Sequence, residues 1–138
     1  MDALSWQLTV DANDPHAQAD FWAAALHAEV EDNSEMIDAG LAQGWAQQAD
    51  VVVHHDRHAW RDLVAVRGAG PRILMQRVPE TKEIKNRLHL DLHVGEDRMR
   101  AEVDRLVALG ATEGQEWREA WGHWIVMSDP EGNEFCVE

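Results

Sequence analysis

The chain has 138 residues, 26 of them acidic and 12 basic, for a formal charge of −14 with its eight histidines neutral. A chain of this length forms one domain and can fold without disulfide or metal staples, and its charge repels phosphate backbones and anionic lipid surfaces. Nucleic-acid and membrane-surface roles are thereby excluded, and neutral or cationic small molecules remain as partners. The charge is uneven: residues 1–56 carry eleven Asp or Glu and no Lys or Arg, whereas residues 57–138 hold fifteen acids and all twelve bases. Cys136 is the only cysteine, so no intramolecular disulfide forms. The start MDALSWQLTVDAND has neither a basic segment nor an apolar run for export, and no stretch approaches the ~18 apolar residues of a membrane span. The expectation is a soluble cytoplasmic protein.

Leu4, Trp6, Leu8 and Val10 alternate with Ser5, Gln7 and Thr9, the period of a half-buried strand, which puts Gln7 and Thr9 together on the face opposite the apolar residues. Asp14-Pro15 then caps a helix predicted over 14–27, with Ala17, Phe21, Ala24 and Ala25 forming its apolar stripe. A short strand-like piece, Glu29 to Glu31, precedes Asp32-Asn33-Ser34-Glu35, a helix-cap pattern, and a brief helix bearing Met36, Ile37 and Leu41 that Gly44 can end. Val51–His54, Leu63–Val66 and Arg72–Val78 read as strands, the last after the turn signal Gly68-Ala69-Gly70-Pro71. Pro79–Arg87 lacks apolar periodicity and reads as an exposed connector.

The second half restarts the pattern. Leu88, Leu90, Leu92 and Val94 alternate with His89, Asp91 and His93; a helix with Met99, Val103, Leu106 and Val107 follows and closes at Gly110. Thr112–Trp117, Trp124–Met127 and Asn133–Val137 read as strands, the last two joined by the turn Asp129-Pro130-Glu131-Gly132. Laying Gln7 on His89 superposes strand, turn and helix. This is an internal duplication of a βαβββ module, with module one about 1–80, an insertion near 33–50, and module two about 86–138.

The residues Asp14-Pro15 with Phe21-Trp22 and Leu26, the run Pro71–Glu80, the run Lys85–Asp91, and the ending Asp129-Pro130-Glu131-Gly132-Asn133-Glu134-Phe135-Cys136 resemble the glyoxalase/bleomycin-resistance/extradiol-dioxygenase group, the vicinal oxygen chelate superfamily, and particularly its small glyoxalase-like domain members. The resemblance spans nearly the whole chain. It implies an α+β fold in which two βαβββ modules form a curved, half-barrel mixed sheet around a cavity, as a single domain over residues 1–138 and commonly as a homodimer. It is specific for fold and weak for activity, because one fold hosts many chemistries.

In metal-using relatives the four ligands come from strands of both modules, and the resemblance carries these positions onto Gln7, Gln76, His89 and Cys136. Cys136 stands where such relatives have a glutamate. Two amides, an imidazole and a thiol suit a hard cation such as Mg²⁺ or Mn²⁺ poorly, and no carboxylate is left as a general base. The expectation is therefore a cavity without a metal cofactor, with a divalent metal on His89 and Gln7 as the alternative.

Each of these residues also has an ordinary reading: Gln7 as a strand hydrogen-bonding residue, His89 as a structural histidine, Cys136 as a small buried hydrophobe. In His54-His55-Asp56-Arg57-His58 the first two histidines face opposite sides of a strand, so at most His54 and one later residue could converge on a metal, and the segment reads as a solvated turn rather than a ligand cluster. The basic residues Arg72, Arg77, Lys82, Lys85 and Arg87 read as ion-pair partners of the acidic first module or of a second copy.

Trp6 and Trp22 fit the core. Trp117, Trp121 and Trp124 are bunched at the final hairpin and can pack there or form a platform that stacks on a flat or cationic ligand. Two functions are carried forward: a glyoxalase-like small-molecule-binding protein of undefined activity, using Trp117, Trp121, Trp124, Gln7, Gln76 and Cys136, or a metal-dependent lyase, isomerase or dioxygenase using Gln7 and His89.

Overall fold

The computed structural model describes residues 1–138 and divides them into two compact units, Met1–Glu80 and Thr81–Glu138. No helix is long and apolar enough to cross a membrane.

In the first unit the elements are β1 (Leu8–Ala12), α1 (Pro15–Ala25), β2 (Glu29–Val30), α2 (Ser34–Gln43), a 3-10 turn at Gln48–Asp50, β3 (Val51–His54), β4 (Arg57–Trp60), β5 (Leu63–Arg67) and β6 (Ile73–Arg77). Four strands form one sheet in the order β1-β6-β5-β2, with β1 parallel to β6 and the other pairs antiparallel. The hairpin β3–β4 is a separate two-stranded sheet, so the material beyond one βαβββ module extends past residue 50 to Trp60.

α1 starts because Asp14 Oδ1 accepts from the Ala17 N–H at 3.0 Å and Pro15 has no N–H to leave unpaired in the first turn. It lies against β5 and β6. Period two then sorts the sheet into two faces. Leu8, Val10, Ile73, Met75, Val64 and Val66 share one face through their cross-strand registers, and most of them are buried. Gln7, Thr9, Asp11, Arg72, Leu74 and Gln76 occupy the other.

The second unit contains β7 (Asp91–Leu92), α3 (Glu96–Leu109), β8 (Thr112–Glu119), β9 (Gly122–Ser128) and β10 (Glu134–Val137). Its sheet order is β7-β10-β9-β8, again with the first and last strands parallel. That is the order of the first unit repeated, and neither sheet closes into a barrel. α3 lies against β8 and β10, and Met99, Val103 and Leu106 of the helix are buried, as are Phe135, Val137, Ile125 and Met127 of the sheet. The turn into β10 is held by Asp129, whose Oδ1 accepts from the N–H groups of Glu131 and Asn133.

Two strands are shorter than their alternation suggests. Leu4 and Trp6 precede the ladder and are 89% and 71% exposed, so Trp6 is not a core residue, whereas Trp22 is buried. The reason is the partner: β6 begins at Ile73, directly after the turn ending in Pro71, and gives residues before Leu8 nothing to pair with. Likewise Leu88 is exposed, and only Asp91 and Leu92 form ladder pairs with β10.

Both long helices end in a left-handed residue. At α3 this is Gly110, φ 118, and at α1 it is His27, φ 51. The N–H of Ala28 returns to the Ala23 carbonyl at 2.8 Å and that of His27 to Ala24, a Schellman closure that requires the positive φ. A residue with a Cβ pays about 1 kcal/mol there that glycine does not. His27→Gly is expected to raise the thermal midpoint by about 3 °C, read by differential scanning calorimetry. A lower midpoint would mean that the His27 side chain makes a compensating contact.

Candidate functional site

In the second unit the sheet face away from α3 brings together most of the residues singled out from the sequence there. Trp117 lies directly across from Trp124, Val126 two residues on lies across from Cys136, and Cys136 lies across from Asp91. The five form a diagonal row from β8 to β7. Trp117 is 40% exposed, while Trp124 and Cys136 are half-buried. His89 reaches the same end of the row: its Nδ1 is 3.1 Å from Asp91 Oδ1, and His89, Asp91 and Cys136 offer ligand atoms within 4.8 Å of one another. Trp121 is apart from them, at the tip of the β8–β9 hairpin and 81% exposed.

Burial pushes the Cys136 thiol up to about 11, helped by the negative charge of Asp91 and a hydrogen bond to it. The sulfur is therefore a protonated thiol near neutral pH and not a nucleophile. A carboxylate beside it holds the proton on.

In the first unit Gln7 and Gln76 share the face away from α1. Gln76 is exposed near the end of β6. Gln7 is engaged: its Oε1 accepts from Arg72 Nη1 at 2.7 Å, while Nε and Nη2 of the same guanidinium donate to Glu31 Oε1 and Oε2, each at 2.7 Å. Arg67 adds a further bond to Glu31. The hydrogen bonds from Arg72 hold the Glu31 carboxyl at about 2, against the upward push of burial. A forked guanidinium–carboxylate pair is the strongest geometry available to these groups. Its consequence is chemical, since the Gln7 amide oxygen already faces a permanent cation. The acidic first module does supply the partner for Arg72 expected from the sequence, and Asp62 lies 3.7 Å from Arg77.

A third cluster departs from the reading of His54–His58 as a solvated turn. Asp20 on α1 meets both His54 and His55, each Nε2 lying 2.8 Å from Asp20 Oδ2. Two consecutive strand residues would face opposite ways, but His55 is not a strand residue: it and Asp56 have φ of 48° and 60°, the two left-handed positions of a tight hairpin turn between β3 and β4. That rotation swings the second imidazole to the side of the first. His58, in contrast, turns to Asp38, at 2.6 Å. The signal available in the sequence was the two-residue spacing between Val51–His54 and Arg57–Trp60, which specifies a turn with positive φ at 55 and 56.

Residues 7–138 match the model of the glyoxalase-like domain family. No curated protein matches the chain by sequence. Among solved structures, the fosfomycin resistance protein FosX from Listeria monocytogenes is similar at 15% identity with a TM-score of 0.67, covering 100% of this chain and 91% of that one. A variant of the same protein complexed with Mn(II) and 1S,2S-dihydroxypropylphosphonic acid is similar at 14% identity and a TM-score of 0.66, over 100% and 90% of the two chains. A glyoxalase/bleomycin resistance protein/dioxygenase family enzyme from Burkholderia phytofirmans PsJN is similar at 14% identity and a TM-score of 0.64, over 95% and 94%. At these identities the likeness is one of fold.

Because Glu31 is ionised in the folded protein down to about 2 and an unpaired glutamate only to about 4.5, its stabilisation is complete above about 4.5 and is lost as the pH falls from there towards 2. Glu31→Gln is expected to cost on the order of 2 kcal/mol at pH 7 and to flatten the decline of stability over that window. Urea unfolding at a series of pH values measures both.

Proposed function

This chain belongs to the glyoxalase-like domain family, and from that premise we propose that it is a small-molecule-binding protein, holding a neutral or cationic aromatic ligand on the face that bears Trp117 and Trp124. The observation that carries the reading is that face: two indoles opposed across β8 and β9, in line with an apolar Val126 and an unreactive Cys136 and ending at the carboxylate of Asp91. Indole faces attract flat and cationic molecules, and a carboxylate at the end of the row of indoles orients a positive group. The net charge of −14 favours the same ligands and disfavours anions. On the first unit taken by itself, Gln76 and Gln7, the latter fixed in orientation by Arg72, are proposed as polar contacts for a small molecule on that unit's own face.

The Mn(II) of the FosX complex is not carried into this reading, because the donors do not fit it. Gln7 Oε1 faces a guanidinium, and Cys136 offers a soft thiol where the resemblance puts a carboxylate. A hard divalent cation prefers an oxygen set without a competing positive charge. One observation favours a second reading, a metal-dependent enzyme working through His89: the approach of His89, Asp91 and Cys136 to within 4.8 Å of one another. A homodimer belongs to the first reading as well. β8 is exposed along all eight residues at an edge of its sheet, and a bare edge of that length is a template for pairing.

Titration with a panel of cationic aromatic compounds is expected to quench tryptophan fluorescence saturably, and Trp117→Ala or Trp124→Ala to weaken binding at least tenfold, about 1.4 kcal/mol. A flat response across the panel would remove the binding proposal. Elemental analysis of wild type and His89→Ala decides between the two readings: a metal equivalent present in wild type and lost in His89→Ala would establish the metal-dependent one.

A further inference from the structure

We propose that Asp20, His54 and His55 form a site for a divalent transition-metal ion, zinc by preference, in the first unit. The site uses none of Gln7, Gln76, His89 or Cys136 and stands apart from the ligand-binding reading. Its donors are those that zinc takes in sites with three protein ligands and one open position, two imidazole nitrogens and a carboxylate oxygen. Both Nε2 atoms are 2.8 Å from the same Asp20 oxygen, and all the donor atoms fall within 4.8 Å of one another. Tetrahedral coordination with zinc–nitrogen bonds of ~2.0–2.1 Å places donors about 3.3 Å apart. The two imidazole–carboxylate distances need to open by only about half an ångström, which the exposed His55 ring and the half-buried Asp20 can supply.

The backbone is the second, independent observation. A tight hairpin turn with two positive φ values is ordinarily built from Asn-Gly or Asp-Gly, and here the first position is histidine at φ 48°. The turn itself does not ask for an imidazole. What histidine adds at that position is a second ring on the side of the first, their centroids 4.0 Å apart. Local strain retained by the surrounding structure is a recurrent mark of binding sites. The third observation is the charge: residues 1–56 contain eleven acids and no Lys or Arg, and Arg57, across from His54, is paired with Asp32.

His16 supports the site from behind. It is buried, its Nε2 lies 2.9 Å from the Trp60 carbonyl, and its ring centroid is 4.8 Å from that of His54, which limits where the His54 ring can swing. A zinc ion here would tie the β3–β4 turn to α1.

The test uses the full chain, stripped with chelator and titrated with zinc chloride by calorimetry, with cobalt(II) as the spectroscopic probe. One zinc equivalent is expected that His89→Ala and Cys136→Ser leave in place and that Asp20→Asn and His55→Gly weaken at least tenfold. Glycine accepts the left-handed position, so His55→Gly keeps the turn, and circular dichroism confirms the fold of each variant. Zinc at this site should raise the thermal midpoint of wild type by several degrees in large excess and leave that of His55→Gly unmoved. The cobalt complex of Cys136→Ser should show the same d–d bands as wild type. Absence of zinc binding at micromolar concentration would overturn the proposal. So would binding that survives both Asp20→Asn and His55→Gly, or binding that His89→Ala or Cys136→Ser abolishes.

Discussion

In each unit one helix lies against the four-stranded sheet, α1 in the first and α3 in the second, and one helix can close only one face. That constraint decides which residues are available for function. Burial of Met75, Val66 and Ile73 in the first unit, and of Phe135, Val137, Ile125 and Met127 in the second, satisfies the helix-covered face. Because strand side chains alternate, the same registers send Gln7, Arg72 and Gln76, or Trp117, Trp124, Val126 and Cys136, to the other face. The candidate residues are thus a by-product of how the core is built, and moving any of these strands by one residue would exchange the two sets.

The two uncovered faces have diverged in chemistry although their strand orders are the same. The first carries a charged network, Gln7–Arg72–Glu31–Arg67, in which a carboxylate held at about 2 and a forked guanidinium fix each other. Such a face is polar, orientationally rigid and locally neutralised. The second carries two indoles and a thiol pushed up to about 11, with the carboxylate of Asp91 at the end of the row. It has area for an apolar ligand and no reactive group ready for it. The duplication supplied the frame twice, and the side chains on the bare faces separated the roles.

Much of this frame was legible in the sequence. Asp14-Pro15, Gly44 and Gly110 mark helix ends through requirements of single residues, and each lies where its marker puts it. Period two placed Gln7 on the face opposite the core without knowledge of its neighbours. Strand length was not legible, because a strand ends where its partner does: Trp6 continues the alternation of Leu8 and Val10 yet has no partner before Ile73. The capture of Gln7 by Arg72 joins residues 65 positions apart and depends on the parallel pairing of β1 with β6, which no local pattern encodes. The convergence of His54 and His55 was hidden for a different reason, since it turns on the sign of one backbone dihedral.

That dihedral invites comparison with the other left-handed histidine. His27 and His55 have nearly the same φ, 51° and 48°, and so carry nearly the same steric cost. At His27 the backbone requirement is complete in itself: the Schellman bonds of Ala28 and His27 close α1, and the residue is exposed. At His55 the positive φ turns the chain and also directs the ring onto Asp20, beside a second ring that does the same. Strain alone therefore identifies nothing, because a helix end and a binding site can show the same angle. What separates the two is the position the side chain reaches as a result. At residue 27 glycine would do everything the fold needs, whereas at residue 55 glycine would keep the turn and lose the pair of imidazoles.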